Sequence, residues 1–311
     1  FAEQTADVAV VEVGLGGRFD ATNVIEKPAA SIITSISLDH VAYLGDRVEL
    51  IAAEKAGIMK RGCPVVIGYQ SEPSALDVLV ETAERLGCPH SVFGQDFLAF
   101  EEFGRLVYQD EFGLSDLPLP RLPGRHQYSN AAAAIRGVKA AGFELDDGTI
   151  SRALKSVEWP ARMQRIPEGK LVALAPAGAD IWLDGGHNPG AGLVIAEALA
   201  ELEEKQPRPL FMIAGMINTK DATGFFRAFT DLVETVFTVP VDQSSASVDP
   251  VALASDAAAA GLTARPCSSV QEALREIASM MEPDEVPPRI LIGGSLYLAG
   301  SVLRDNGNPP T

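Results

Sequence analysis

Positive charge is scarce in this chain. Its 25 lysines and arginines face 42 aspartates and glutamates, a formal net charge of −17, and the cations never cluster. A nucleic-acid surface needs a basic patch or stripe, so that partner is excluded. Any anionic ligand must be held by local amides and a few cations. Apolar runs approaching the ~20 residues of a membrane span are missing. So is a secretory leader, because residues 1–7 carry neither a basic start nor an apolar run. Cysteine is sparse too: Cys63, Cys88 and Cys267 lack metal-ligand spacing and, being three, cannot all pair. That usage fits a reducing cytoplasm.

Against these absences stand 311 residues, 47% of them hydrophobic, enough for roughly two domains with sizeable cores. Val8-Ala-Val-Val-Glu-Val13 is apolar apart from Glu12 and reads as a central parallel strand, bounded by Gly14-Leu-Gly-Gly17. A chain that opens this way is expected to start mid-domain, with an N-terminal segment missing. Further strands are expected at 29–37, 64–69 and 91–93, and helices at 46–60 and 74–86. Strand alternating with helix means βαβ units and a parallel sheet. Phe97–Phe103 and Leu106–Phe112 interrupt the rhythm as an antiparallel ribbon. Leu117–Pro123 then reads as an extended connection, and helices follow at 130–141 and 149–157. The first domain is expected to end near 165–170, giving domains of 1–167 and 168–311.

The second domain resumes the alternation. Strands fit near 171–175, 180–183, 209–214, 235–239, 263–266 and 289–292. Helices fit near 190–204, 221–232, 249–260, 269–281 and 295–304, and residues 305–311 read as a frayed tail. This is the pattern of a smaller doubly wound domain. Within it, Ile181-Trp-Leu-Asp-Gly-Gly-His-Asn-Pro-Gly190 runs from a strand end through a turn into a helix start, with Asn188 as cap and Pro189 at the first helical position. Asp184 and His187 therefore sit where open α/β sheets place their ligands.

Other residues could carry chemistry. Glu12 and His40 follow strands at one sheet edge, and a carboxylate with an imidazole there points to a divalent cation. The plainer alternative is a Glu12–His40 or Glu12–Arg18 pair that only ties loops together. Imidazole suits manganese better than magnesium, which prefers oxygen. Gly14-Leu-Gly-Gly17 is half of a dinucleotide fingerprint, and the firmer inference is close backbone approach by some ligand. Lys55 lies on the apolar stripe of its helix, either snorkelling past it or placed for function. Arg125-His126-Gln127 and Asn130 open a helix whose small residues Ala131–Ala134 would admit a flat ring or simply pack.

These blocks converge on one resemblance. Glu12-Val-Gly-Leu-Gly-Gly-Arg-Phe-Asp-Ala-Thr-Asn23 closely resembles the block after the phosphate loop in folylpolyglutamate and dihydrofolate synthases. Leu38-Asp-His40, Ile51-Ala-Ala-Glu-Lys-Ala-Gly-Ile58 and Pro123-Gly-Arg-His-Gln-Tyr-Ser-Asn130 continue it. Trp159-Pro-Ala-Arg162, Leu183-Asp-Gly-Gly-His-Asn-Pro189 and Gly294-Ser-Leu-Tyr-Leu-Ala-Gly300 complete it in family order. The wider group is the Mur ligases.

The resemblance implies an α/β fold: an incomplete Mur-ligase-type P-loop ATPase domain, then a Rossmann-like glutamate ligase domain. It implies ATP-dependent amide formation, in which a carboxylate takes the γ-phosphate and the L-glutamate amine displaces phosphate from the acyl phosphate. Two magnesium ions, with manganese as alternative, would neutralise the phosphates. By matching motif, Glu12 and His40 are metal ligands and Lys55 is a lysine carried as a carbamate. Asn130, Arg162 and Asp184 are ATP contacts, with Asp184 presented across an interdomain cleft. His187 and Ser295 line the glutamate site, and Phe19, Asp20 and Ala21 contact the pterin. The implied partners are small molecules (ATP, L-glutamate, dihydropteroate or folates), bound by a cytoplasmic monomer.

One departure concerns the phosphate loop. The Gly-Lys pair of this chain, Gly169-Lys170, precedes Leu171 and follows no glycine run. A missing N-terminal segment accounts for that, and a chain truly starting at Phe1 would lack the means to hold a triphosphate. Competing readings are a peptidoglycan Mur ligase, a nicotinamide-dependent oxidoreductase using Gly14–Gly17, and a non-catalytic fragment that only binds folate or nucleotide.

Overall fold

A computed structural model describes residues 6–242, 244–282 and 284–309. The chain forms two compact units, one running up to Leu119 with Tyr128–Ala153, the other comprising Pro120–Gln127 and Leu154 onward. On this division the chain changes unit at 119/120, 127/128 and 153/154, and the strand at Gln164–Arg165 pairs within the second sheet.

The first unit is built from βαβ alternation. Its elements are β1 (Ser31–Ile33), α1 (Val41–Leu44), α2 (Val48–Ala56), β2 (Val65–Ile67), α3 (Pro73–Arg85) and β3 (His90–Val92). The three strands form a parallel sheet in the order β1-β2-β3, with Ser31 opposite Val65 and Val65 opposite His90. Ile33, Ile67 and Val92 pack with Ile51 and Ala52 of α2 and Leu79 and Ala83 of α3 in one core. An antiparallel meander follows: β4 (Phe97–Glu102), β5 (Arg105–Asp110) and β6 (Gly113–Pro118). Then come α4 (His126–Ala140) and α5 (Asp147–Ser156).

Two expectations fail here. Val8–Val13 forms no strand, and Val8 and Val10 are 55% and 94% exposed. A strand exists through its ladder to a neighbour, and apolar composition alone supplies none. The supposed extended connection begins as a third meander strand. Asp110 Oδ1 accepts from the Phe112 amide at 3.0 Å and turns the chain back at Glu111-Phe112. Pro118 then falls at the end of an edge strand, where a proline is tolerated.

The second unit contains β7 (Gln164–Arg165), β8 (Asp180–Leu183), α6 (Pro189–Lys205), β9 (Leu210–Ala214), α7 (Ala222–Arg227), β10 (Thr235–Thr238), α8 (Pro250–Ala259), β11 (Ala264–Pro266), α9 (Val270–Met280), β12 (Arg289–Gly293) and α10 (Leu296–Asn306). Its sheet order is β11-β10-β9-β12-β8-β7, parallel except for the β7–β8 pair. Side chains alternate between two cores, as the pleat requires. Ile181, Leu183, Ile213 and Ile292 face α9 and α10. Trp182, Met212 and Leu291 face α6, α7 and α8. The domain is doubly wound, as its alternation implied.

Residues 171–175, read as a strand, instead form a 3₁₀ turn at Val172–Leu174. Asn306 draws them off the sheet, its Oδ1 accepting from the Leu171 amide at 3.0 Å. The helix expected at 221–232 stops at Arg227, and Asp231 has left-handed backbone at φ 65°. The tail read as frayed begins inside α10, and its last two residues lie outside the described ones.

The helices start differently along the chain, and in the first unit α5 has its own cap in Asp146, whose Oδ1 accepts from the Thr149 amide. Asn188, Asp221, Asp249, Ser269 and Ser295 each accept a backbone amide in the first turn of α6 to α10. Arg47 and Glu72, at the starts of α2 and α3, make no such side-chain bond. Among the described residues, no helix is long and apolar enough to cross a membrane.

Candidate functional site

Two clusters form, one in each unit. In the first, the loop from Gly14 to Asn23 lies on the end of α2. Asp20 organises it: Oδ2 accepts from the amides of Gly14 and Leu15 at 3.0 and 2.9 Å, and Oδ1 from the Thr22 amide and hydroxyl at 2.9 and 2.6 Å. These bonds, led by the Thr22 hydroxyl, lower its pKa to about 2. The Asp20 carboxylate is thus engaged by its own loop. Arg18 donates its amide to the Glu54 carbonyl at 2.9 Å, and Asn23 Nδ2 donates to the Gly57 carbonyl at 3.1 Å. A Cβ on Gly57 would lie 2.5 Å from Arg18 Cα, so only glycine permits this approach. The Gly-Leu-Gly-Gly-Arg and Glu-Lys-Ala-Gly blocks are two halves of one junction.

An open groove of about 570 Å³ lies beside that junction, lined by Phe19, Asp20, Ala21, Tyr43, Leu44 and Leu50 among others. Phe19, on the groove wall, is an apolar ring 87% exposed. After β1, Asp39 gathers the neighbouring polar groups. The His40 amide donates to Asp39 Oδ1 at 2.7 Å, and His40 Nε2 lies 3.7 Å from Asp39 Oδ2. His40 holds left-handed backbone at φ 52°. Lys55 is half-buried; burial pushes its ammonium pKa down, and Asp39 pulls it back up. Asp39 had no role in the sequence reading, although it adjoins His40.

Glu12 is exposed and stands on no strand, so a meeting with His40 at neighbouring strand ends is not built here. Among the described residues, no three His, Cys, Asp or Glu side chains gather as a metal shell. Asn130 is exposed in the second turn of α4, while Ala131, Ala132 and Ala133 are buried. Those alanines pack; Ala134 alone of the four is exposed.

The second cluster sits at the carboxyl edge of the six-stranded sheet. Asp184, 6% exposed, directly follows β8. Its Oδ2 accepts from the Met163 amide at 2.8 Å and its Oδ1 from the Gly186 amide at 2.7 Å. Burial raises its pKa, against those two amides, Arg162 and His187. His187 Nδ1–H donates to the Gly185 carbonyl at 3.0 Å, which fixes the ring before the Asn188 cap. Asn188 Oδ1 accepts from the Ala191 amide at 2.8 Å. Ser295 is 3% exposed and its hydroxyl accepts from the Tyr297 amide at 3.1 Å. Arg162 is half-exposed between the buried Ala161 and Met163, with Nη1 on the Ala161 carbonyl at 3.2 Å. Nearby, burial and the Arg162 charge lower the His126 pKa to about 4. His126 belongs to the Arg125-His126-Gln127 helix start already named, whereas Gln164 carries no signal in the sequence.

Residues 1–137 match the Mur ligase middle domain, and residues 161–296 match the Mur ligase glutamate ligase domain. The chain is 35% identical over 242 residues to the dihydrofolate synthase/folylpolyglutamate synthase of Haemophilus influenzae, covering 75% of this chain and 54% of that protein. It is 36% identical over 314 residues to the folylpolyglutamate synthase of Lacticaseibacillus casei, covering 97% of this chain and 67% of that one. The crystal structure of Mycobacterium tuberculosis folylpolyglutamate synthase, complexed with ADP and AMPPCP, superposes with a TM-score of 0.85 at 31% identity. It covers 100% of this chain and 71% of its own. The chain thus spans between about half and seven tenths of these relatives.

Proposed function

Because this chain belongs to the folylpolyglutamate and dihydrofolate synthase family of the Mur ligases, we propose that it serves ATP-dependent addition of L-glutamate to dihydropteroate or reduced folates. The substrate carboxylate takes the γ-phosphate of ATP, releasing ADP. The glutamate amine then attacks the acyl phosphate carbon, phosphate leaves, and an amide remains. The observation that carries the reading is the Asp184–Asn188 turn at a sheet's carboxyl edge, held against the Arg162 loop.

His187 and the start of the 17-residue α6 offer a ring and a positive helix end to a glutamate carboxylate. Arg162 and Asn130 serve the nucleotide. Phe19, Ala21 and the loop held by Asp20 face the open groove and take the pterin ring. Magnesium usually keeps several waters and is bound through one or two carboxylates plus substrate phosphates. Glu12 and His40 suit an ion brought in with the nucleotide better than a resident one. Bound, it would neutralise phosphate charge. The lowered pKa of Lys55 leaves more of its amine neutral, the form that adds carbon dioxide to give a carbamate and a proton. The protein works on these small molecules as a cytoplasmic monomer.

The test is phosphate release from ATP with L-glutamate and a panel of acceptors: dihydropteroate, tetrahydrofolate and a UDP-muramoyl peptide. Turnover that needs the peptide and ignores both pterins would assign the chain to cell-wall synthesis instead.

A further inference from the structure

We propose that Asp184 acts on the nucleotide through Arg162, as a positioning residue, by clamping a strained tripeptide that presents the arginine. The inference rests on reading Arg162 as a nucleotide contact. Ala161 and Met163 both hold left-handed backbone, at φ 54° and 41°. Residues with a Cβ keep that conformation only where their surroundings over-determine it. Both are 3% exposed, and the residue between them is half-exposed. Two inverted residues face the interior and leave Arg162 at the surface.

What imposes the strain is visible. Gln164 pairs with Leu183 across β7 and β8, so residue 163 falls beside residue 184. The Ala161 amide donates to Gln164 Oε1 at 3.0 Å, and the Gly185 amide donates to the Ala161 carbonyl at 2.9 Å. Asp184 closes the frame with one oxygen on each side: Met163 from the arginine loop, Gly186 from its own turn. Each carboxylate oxygen already serves a backbone amide inside the protein. Such a carboxylate is a staple between two loops, and its removal frees the Met163 amide beside Arg162 and the Gly186 amide of the facing turn. The guanidinium lies back on the same loop, through Nη1 to the Ala161 carbonyl, so loop and side chain move together.

A direct contact and a staple differ in a double-mutant cycle. ADP affinity is measured by calorimetry for the protein, Arg162→Ala, Asp184→Asn and the double variant. Asparagine offers one acceptor oxygen to two amides, so Asp184→Asn should weaken ADP binding about tenfold, yet add nothing once Arg162 is alanine. Amide exchange at Met163 and Gly186 should speed up in Asp184→Asn, with or without ADP. If that variant folds poorly, Ala161→Gly keeps the carboxylate and relaxes the loop. It should weaken ADP binding several-fold without lowering the melting temperature. An equal loss from Asp184→Asn in both backgrounds makes Asp184 a direct contact and overturns the proposal. An Arg162→Ala variant that binds ADP normally removes the nucleotide reading of Arg162 itself, a separate failure that the cycle reports first.

Discussion

Gly17 rests on the backbone of Lys55. A Cβ on residue 17 would lie 3.0 Å from the Lys55 Cα and carbonyl oxygen, and 2.6 Å from the Glu54 carbonyl oxygen. The loop that walls the groove is therefore seated on the helix turn that carries the lysine, without space for a methyl group.

Gly17→Ala should unseat that loop. Its neighbours are backbone atoms that cannot swing aside, and overpacking of this kind costs about 1–3 kcal/mol. Thermal melting reads the stability loss, and Lys55 carbamylation should fall with it, seen by mass spectrometry at high bicarbonate. An alanine variant that melts like the parent refutes the seating.

Asp20 makes the same loop acid-sensitive. Its pKa is lowered from the usual 3.8 to about 2 in the fold. The stabilisation is then fully present above the unfolded value and is lost as pH falls through about 2. Amide exchange at Leu15 and Thr22 should accelerate over that window. In Asp20→Asn it should be fast at neutral pH and show no such step.

His126 shifts stability at milder pH. Its folded pKa is lowered from 6.5 to about 4 by burial and by Arg162. Between those values the unfolded chain binds the extra proton, so stability declines as pH drops from about 6.5 to 4. His126→Gln should flatten that part of a melting-temperature profile. An unchanged slope would place the titration elsewhere.

His187→Ala should raise the KM for L-glutamate about tenfold and leave that for ATP near its starting value, because the ring stands at the mouth of α6. The opposite pattern would hand this turn to the nucleotide.

Much of this was legible in the chain because the signals are local. The Asn188-Pro189 start of α6, the apolar strands at 180–183 and 289–292 and the alternation around them need only near neighbours in sequence. What was not legible depends on partners far away. Val8–Val13 has strand composition but no ladder, and 171–175 is claimed by Asn306 from the other end of the unit. The site divides likewise. Asp184 and His187 announce themselves at a strand-to-helix turn. Nothing in Ala161-Arg-Met163 announces two left-handed residues, since alanine and methionine carry no preference for them. That geometry comes from Gln164 pairing with Leu183 and from Asp184, and both Leu183 and Asp184 are too far along the chain to be read as its cause.

The uneven capping of the helices bears on the order in which the chain acquires structure. Five helices of the second unit carry their own initiating side chain, so each can nucleate before distant contacts form. The helices beginning at Val48 and Pro73 have no such start and wait on tertiary packing. On the ribosome those dependent helices emerge first. The stretch holding those two helices is made earlier and therefore settles later, and pulse-labelled refolding should protect residues 189–306 before residues 48–85.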